Sequence, residues 1–162
     1  MSRSQLVAEH LPLLRRYARA LTGSQASGDA YVAAMLEALL QDPSLLDEKL
    51  GPRAGLFRLF TQIWNSVSLN ESVDKGPAPA ASEQRISSLT PPARQAFLLL
   101  SLEGFSEDEV AYILETDVTK VRELADSAGR ELAAEIATDV LIIEDETFIA
   151  MDLESLVKNL GH

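Results

Sequence analysis

Residues 105–132 read FSEDEVAYILETDVTKVRELADSAGREL, and the pattern of this stretch decides the fold. Ser106 followed three positions later by Glu109 has the spacing of a capping box, in which hydroxyl and carboxylate reciprocally satisfy backbone donors at a helix start. That signature opens a short helix over 107–114, with Ala111 turned inward. Glu115-Thr116-Asp117 supplies a tight turn without the glycine such turns often use. A longer helix follows over 118–136, where Val118, Val121, Leu124, Ala128, Leu132 and Ile136 recur at helical spacing. Two helices joined in this way have helix-turn-helix layout.

Working upstream, Thr90 before Pro91 reads as a cap with proline at the first helical position, which starts a third helix over 91–102. Before it, VDKGPAPAASEQ defeats both helical and strand periodicity and reads as a linker, set at residues 73–85. Three more helices precede the linker. Residues 4–22 repeat Leu6, Val7, Leu11, Leu14, Tyr17, Ala18 and Leu21, and Gly23 stands where that helix would close. Asp29 is the expected cap of a second helix running to 41, where Asp42-Pro43 ends it because proline disfavours a helical conformation in the preceding residue. Residues 53–69 place Leu56, Phe57, Phe60, Ile63, Trp64 and Val67 on one stripe, so Phe57, Phe60 and Trp64 read as core and not as base-stacking groups. In the second helix Tyr31, Met35, Ala38 and Leu39 form a core face. Val32, Leu36 and Leu40 widen the apolar arc beyond it, which implies either a docking face or contact with the second half of the chain.

Downstream the period changes. Residues 139–143, DVLII, form a continuous apolar run of the kind buried in a parallel sheet, followed by Glu144-Asp145-Glu146 and a helical pattern over 148–160. A lone strand leaves both edges unpaired, so this piece needs further strands or a partner chain, or stays loosely ordered, and the chain reads as part of a longer protein. Two carboxylates at the end of such a strand either contribute oxygen ligands to a hard cation such as Mg²⁺ or favour the start of the next helix.

The resulting fold class is mainly α: two small helical modules, 1–72 and 86–137, joined by a linker, plus an incomplete β-α start of an α/β unit over 138–162. Charge sharpens the picture. The 162 residues carry a net charge of −11, and residues 91–138 hold only Arg94, Lys120, Arg122 and Arg130 against ten carboxylates. Phosphate neutralisation supplies most non-specific DNA affinity, so the helix-turn-helix layout and its charge point in opposite directions: toward a DNA reader by shape, and toward a protein-binding face or a structural core by electrostatics. Arg15, Arg16 and Arg19 form a basic cluster that is either solvated or holds a carboxylate of the acidic half or of a partner. His10 and His162 are isolated and there is no cysteine, so no catalytic constellation and no thiolate site can be drawn. Every apolar run, residues 96–100 included, is far below the roughly 20 residues a membrane span takes, and the N-terminal stretch lacks an export signal; the expected location is the cytoplasm.

Three resemblances follow these residues. Residues 10–70, including HLPLLRRYARALTGSQASGDAYVAAML and AGLFRLFTQIWNSV, resemble region two of an extracytoplasmic-function sigma factor. Residues 86–132, ISSLTPPARQAFLLLSLEGFSEDEVAYILETDVTKVRELADSAGREL, resemble its region four. TDVLIIEDETFIAMDLESLVKNLGH, residues 138–162, resembles the first strand, acidic pair and first helix of a receiver domain. Sigma-like modules followed by a receiver is the order found in the PhyR-type general stress response regulators of alphaproteobacteria.

That resemblance implies an anti-anti-sigma factor: a sigma-factor mimic that sequesters a NepR-like anti-sigma factor, under control of receiver phosphorylation by a sensor histidine kinase. It makes Glu144 and Asp145 the receiver's acidic pair for Mg²⁺ in the full-length protein, with no cofactor expected in this chain. The phosphoacceptor would lie on a later strand, outside these residues. Val32, Leu36 and Leu40 from the first module, with Val118, Lys120 and Arg122 from the second, are the expected partner contacts, and neither DNA nor membrane is an expected partner. The alternative is a DNA-binding extracytoplasmic-function sigma factor or helix-turn-helix regulator.

Overall fold

The α1 helix, Arg3–Thr22, closes on Gly23, whose φ of +69° suits a residue without a side chain and whose N–H reaches Arg19 O at 2.9 Å. The structure is a computed structural model that describes residues 3–67, 89–136 and 140–159. Ser24 then caps α2, Gln25–Gln41, by accepting from Ser27 N–H. The expected cap, Asp29, lies inside this helix, because the hydroxyl next to the Gly23 turn is reached first and α2 starts five residues earlier. Asp42 ends α2 as expected. Its carboxylate accepts from Ser44 N–H at 2.9 Å, which opens the 3₁₀ turn Pro43–Leu45.

The helix α3, Pro52–Val67, packs against the segment before it so closely that a Cβ on Gly55 would lie 2.1 Å from Asp47 O. Leu14, Tyr17 and Leu21 of α1, Tyr31, Val32 and Met35 of α2, and Leu56, Phe57 and Phe60 of α3 are buried together. The Tyr17 ring lies 5.3 Å from Phe57 and 5.7 Å from Phe60, both tilted toward edge-on packing. Phe57 and Phe60 are core residues, as their stripe implied, and half-buried Trp64 packs on the same cluster with its ring 4.7 Å from that of Tyr31.

In the second module α4 spans Pro91–Phe97 and continues as a π-helical turn, Leu98–Leu102, where the periodicity implied one uninterrupted helix. Thr90 precedes α4 without capping it through its side chain. Its N–H and hydroxyl both reach the Glu131 carboxylate, at 2.7 and 3.1 Å, so it fastens α4 to a later helix. The capping box at Ser106 and Glu109 forms and starts α5, Glu107–Ile113. The helix α6, Val118–Ile136, follows the turn, and Leu89, Ala93 and Ala128 make a small second core between α4 and α6.

The two modules share one core. Leu98, Leu99, Phe105, Val110, Ile113 and Val121 belong to the same buried cluster as Phe57 and Tyr17, so the halves are fused and not held apart by a tether. The expected linker, 73–85, lies outside the described residues.

The α/β part of the expected fold is not formed. Residues 140–144 make no strand, and Leu141 and Ile143, expected to be buried, are 84% and 88% exposed. Without a second strand among the described residues, this backbone has no ladder to join. The helix α7, Thr147–Asn159, does form, with Phe148, Met151 and Leu156 exposed.

Candidate partner-binding surface

Glu103 sits where the π-helical turn ends, its N–H bonded to Leu98 O at 3.0 Å. The extra residue per turn drops its side chain into the junction between modules, where it is only 5% exposed. Arg16 of α1 donates through Nε to Oε1 at 3.1 Å, and Arg53 of α3 places Nη2 3.4 Å from Oε2. The Arg53 guanidinium also lies 4.1 Å above the Phe105 ring centroid, and Phe105 is edge-on to Phe57 at 5.0 Å. A buried carboxylate is tolerated here because two cations from two helices meet it.

The basic cluster on α1 therefore divides. Arg16 crosses to the acidic half, Arg15 grips Asp29 through two hydrogen bonds of 2.9 and 2.8 Å, and Arg19 donates to Gln25. The Arg15 hydrogen bond holds the Asp29 carboxyl below its usual range.

A second cross-module knot surrounds Arg58. It donates to Asp47 at 2.9 Å and to Glu115 at 2.6 Å, and lies 4.7 Å over the Tyr112 ring. Gln62 adds a donor to Glu115 at 2.9 Å, and the Tyr112 hydroxyl donates to Asp47 O at 3.0 Å. The hydrogen bonds from Arg58 and Gln62 hold the Glu115 carboxyl below its ordinary value. Further along the junction Gln95 donates to Asn65 Oδ1 and Arg94 to Leu21 O, while burial lowers the Arg94 pKa. Glu103, Glu115, Arg53 and Arg58 carry no periodic signature in the sequence. An ion pair between residues fifty or more positions apart leaves only a tally of charges to read.

The expected contact residues fall on both modules. Leu40, at the end of α2, is 82% exposed, and Leu36 beside it is half-buried. Val32, the third expected contact on α2, is 3% exposed and belongs to the buried core cluster. Leu45 and Leu50 extend the exposed apolar surface into the connection to α3, interspersed with exposed Glu37, Asp42 and Glu48. On α6, Val118 is half-buried against the shared core, whereas Lys120 and Arg122 are exposed and ion-paired to Glu123 and Glu107. A groove of about 220 Å³ lies between the end of α3, α4 and the α5–α6 turn, with Leu114 and Leu124 among its walls.

Glu144 and Asp145 are exposed, and Glu144 Oε1 accepts from Glu146 N–H at 3.0 Å. Carboxylate oxygen is the right donor for Mg²⁺, but among the described residues no group of three acidic, histidine or cysteine side chains gathers, so this pair alone does not fit a magnesium site. Among the described residues no helix is long and apolar enough to cross a membrane.

Two helical modules fused through one core, the second carrying a helix-turn-helix, define a sigma-factor-like protein. The fold matches that of the sigma factor RpoE of Bartonella quintana, solved with the anti-sigma factor NepR, at a TM-score of 0.69 and 17% identity over 85% of this chain and 98% of that one. The sequence further matches the family description "Sigma2 domain of PhyR" over residues 7–61 and "Response regulator PhyR, sigma-like domain" over residues 86–135. The chain belongs to the PhyR family. It is 59% identical over its full 162 residues to the phyllosphere-induced regulator PhyR of Methylorubrum extorquens, of which it spans 61%. The anti-anti-sigma factor PhyR of Bartonella quintana, solved in complex with NepR, matches at 45% identity and a TM-score of 0.81, over 99% of this chain and 61% of that one.

Proposed function

We propose that this chain is an anti-anti-sigma factor: it binds a NepR-type anti-sigma factor in place of the sigma factor, releases that sigma factor for transcription, and performs no chemistry of its own. The observation that carries the reading is the close likeness, in both sequence and fold, to a PhyR held in a NepR complex. A sigma factor of the same fold also forms a complex with NepR, which supports competition for one inhibitor. Leu36 and Leu40 of α2, with Val118, Lys120 and Arg122 of α6, are the contact positions. An apolar surface set among carboxylates suits a helical ligand with an apolar face and basic flanks.

Control belongs to the C-terminal piece. Glu144 and Asp145 are a receiver's acidic pair, which in a longer protein would hold Mg²⁺ together with further residues, while an acceptor outside these residues takes phosphate from a sensor kinase in the cytoplasm. Titration calorimetry of the chain with a purified NepR-type anti-sigma factor tests the reading. A one-to-one complex with Kd below about 1 μM supports it, and no heat at that concentration overturns it.

A further inference from the structure

The α5–α6 pair keeps the geometry of a DNA reader, and the exposed start of α6 is where a duplex would be met. Two cations stand there, Lys120 and Arg122, and both are already engaged. Arg122 makes a two-pronged contact with Glu107 on the first turn of α5, Nε at 2.8 Å and Nη2 at 2.7 Å. Lys120 Nζ lies 2.9 Å from Glu123. At the helix start, where readers of DNA offer backbone N–H groups to phosphate, Asp117 Oδ1 accepts from Lys120 N–H at 2.8 Å. Asp108 and Asp126 are exposed nearby with the same sign.

Resting on the anti-anti-sigma reading, we propose that Glu107 and Glu123, helped by Asp126, are the specificity determinants that keep duplex DNA off this helix-turn-helix. They tie up the two cations that would otherwise neutralise phosphate. Affinity for a duplex rises with the number of phosphates neutralised, and here each approaching phosphate must first break an internal ion pair and then sit beside the displaced carboxylate. A polypeptide ligand needs no such neutralisation, so the same face remains open to it.

The test uses the full chain and a fluorescein-labelled, mixed-sequence duplex of about 20 base pairs, followed by anisotropy at about 50 mM and about 150 mM salt. One variant is Glu107→Gln/Glu123→Lys/Asp126→Lys. Its control, Glu146→Gln/Asp152→Lys/Glu154→Lys, makes the same change in net charge on and just before α7. The milder Glu107→Gln/Glu123→Gln pair covers the case in which the first variant misfolds, as judged by circular dichroism. The first variant is expected to bind at least about tenfold more tightly than the control, with affinity falling as salt rises, and the milder pair to show a smaller gain in the same direction. Equal binding by variant and control overturns the proposal, since total charge and not these positions would then govern. Unmodified chain binding DNA as tightly as the variant also overturns it. Failure of the unmodified chain to bind the anti-sigma factor would sink the functional reading while leaving this result intact.

Discussion

Arg58 of α3 donates to Glu115 at 2.6 Å across the junction of the modules, and Glu115 holds a φ of +54°, the left-handed region that L side chains rarely enter. Among the described residues it is the sole non-glycine at positive φ. The turn before α6 thus forgoes the conformational ease of glycine and gains a carboxylate that fastens the helix-turn-helix to the first module. The shape of the second module and its attachment to the first are one arrangement.

A pH dependence follows from this pair. Arg58 and Gln62 hold the Glu115 carboxyl below the usual glutamate value of 4.5, so its contribution to stability is complete above that value and is lost as the pH falls through the depressed one. Glu115→Gln should lower the urea midpoint at pH 7, and the gap to the unmodified chain should narrow in acid. A gap that stays constant from neutral to strongly acidic pH would show that the carboxylate charge plays no part.

Glu103 meets Arg16 and Arg53 in the shared core. Glu103→Ala should lower stability by about 2 kcal/mol, below the full cost of breaking a deeply buried pair because Arg16 stays half in water. In a double-mutant cycle of urea midpoints, Glu103→Ala should couple to Arg53→Met, whose own cost includes the lost stacking on Phe105.

Gly55 faces Asp47 O across a gap that admits no side chain. Gly55→Ala forces α3 away from the preceding segment and should cost about 2 kcal/mol despite the better helix propensity of alanine. Thermal denaturation followed by circular dichroism would expose a stabilising substitution at once, and that outcome would refute the close approach.

Leu40 and Val32 should separate binding from folding. Leu40→Lys removes an exposed side chain, so the unfolding midpoint should move by less than about 0.5 kcal/mol while affinity for the anti-sigma factor falls about tenfold or more. Val32→Ala should do the reverse, costing about 2 kcal/mol in stability with little change in affinity once folding is complete.

Much of the architecture was legible because local rules suffice for it. Gly23, the Ser106–Glu109 capping box and the apolar stripes of α1, α3 and α6 act within a few residues, so sequence spacing carries them. Asp29 does not cap α2 because Ser24, adjacent to the Gly23 turn, satisfies the backbone donors first. Thr90 stands at the cap of α4 with Pro91 after it, as its spacing implies, but its N–H and hydroxyl turn to Glu131 forty-one residues away. The run 139–143 has the composition of a strand, but composition supplies no hydrogen-bonding partner.

The candidate surface was half legible. The wide apolar arc of α2 was visible, and only packing distinguishes Val32, buried in the core cluster, from Leu40, which nothing in the described structure covers.

By itself the sequence determined the helices, their order, the helix-turn-helix and the excess of carboxylate in the second half, since propensity, capping and charge are properties of near neighbours. Tertiary structure alone decided that the two modules share one core, that Glu103 and Glu115 cross-link them, and that Arg122 of α6 is spoken for by Glu107 of α5. Those outcomes depend on which distant side chains come within 3 or 4 Å of each other, and proximity in space is set by the packing of whole helices.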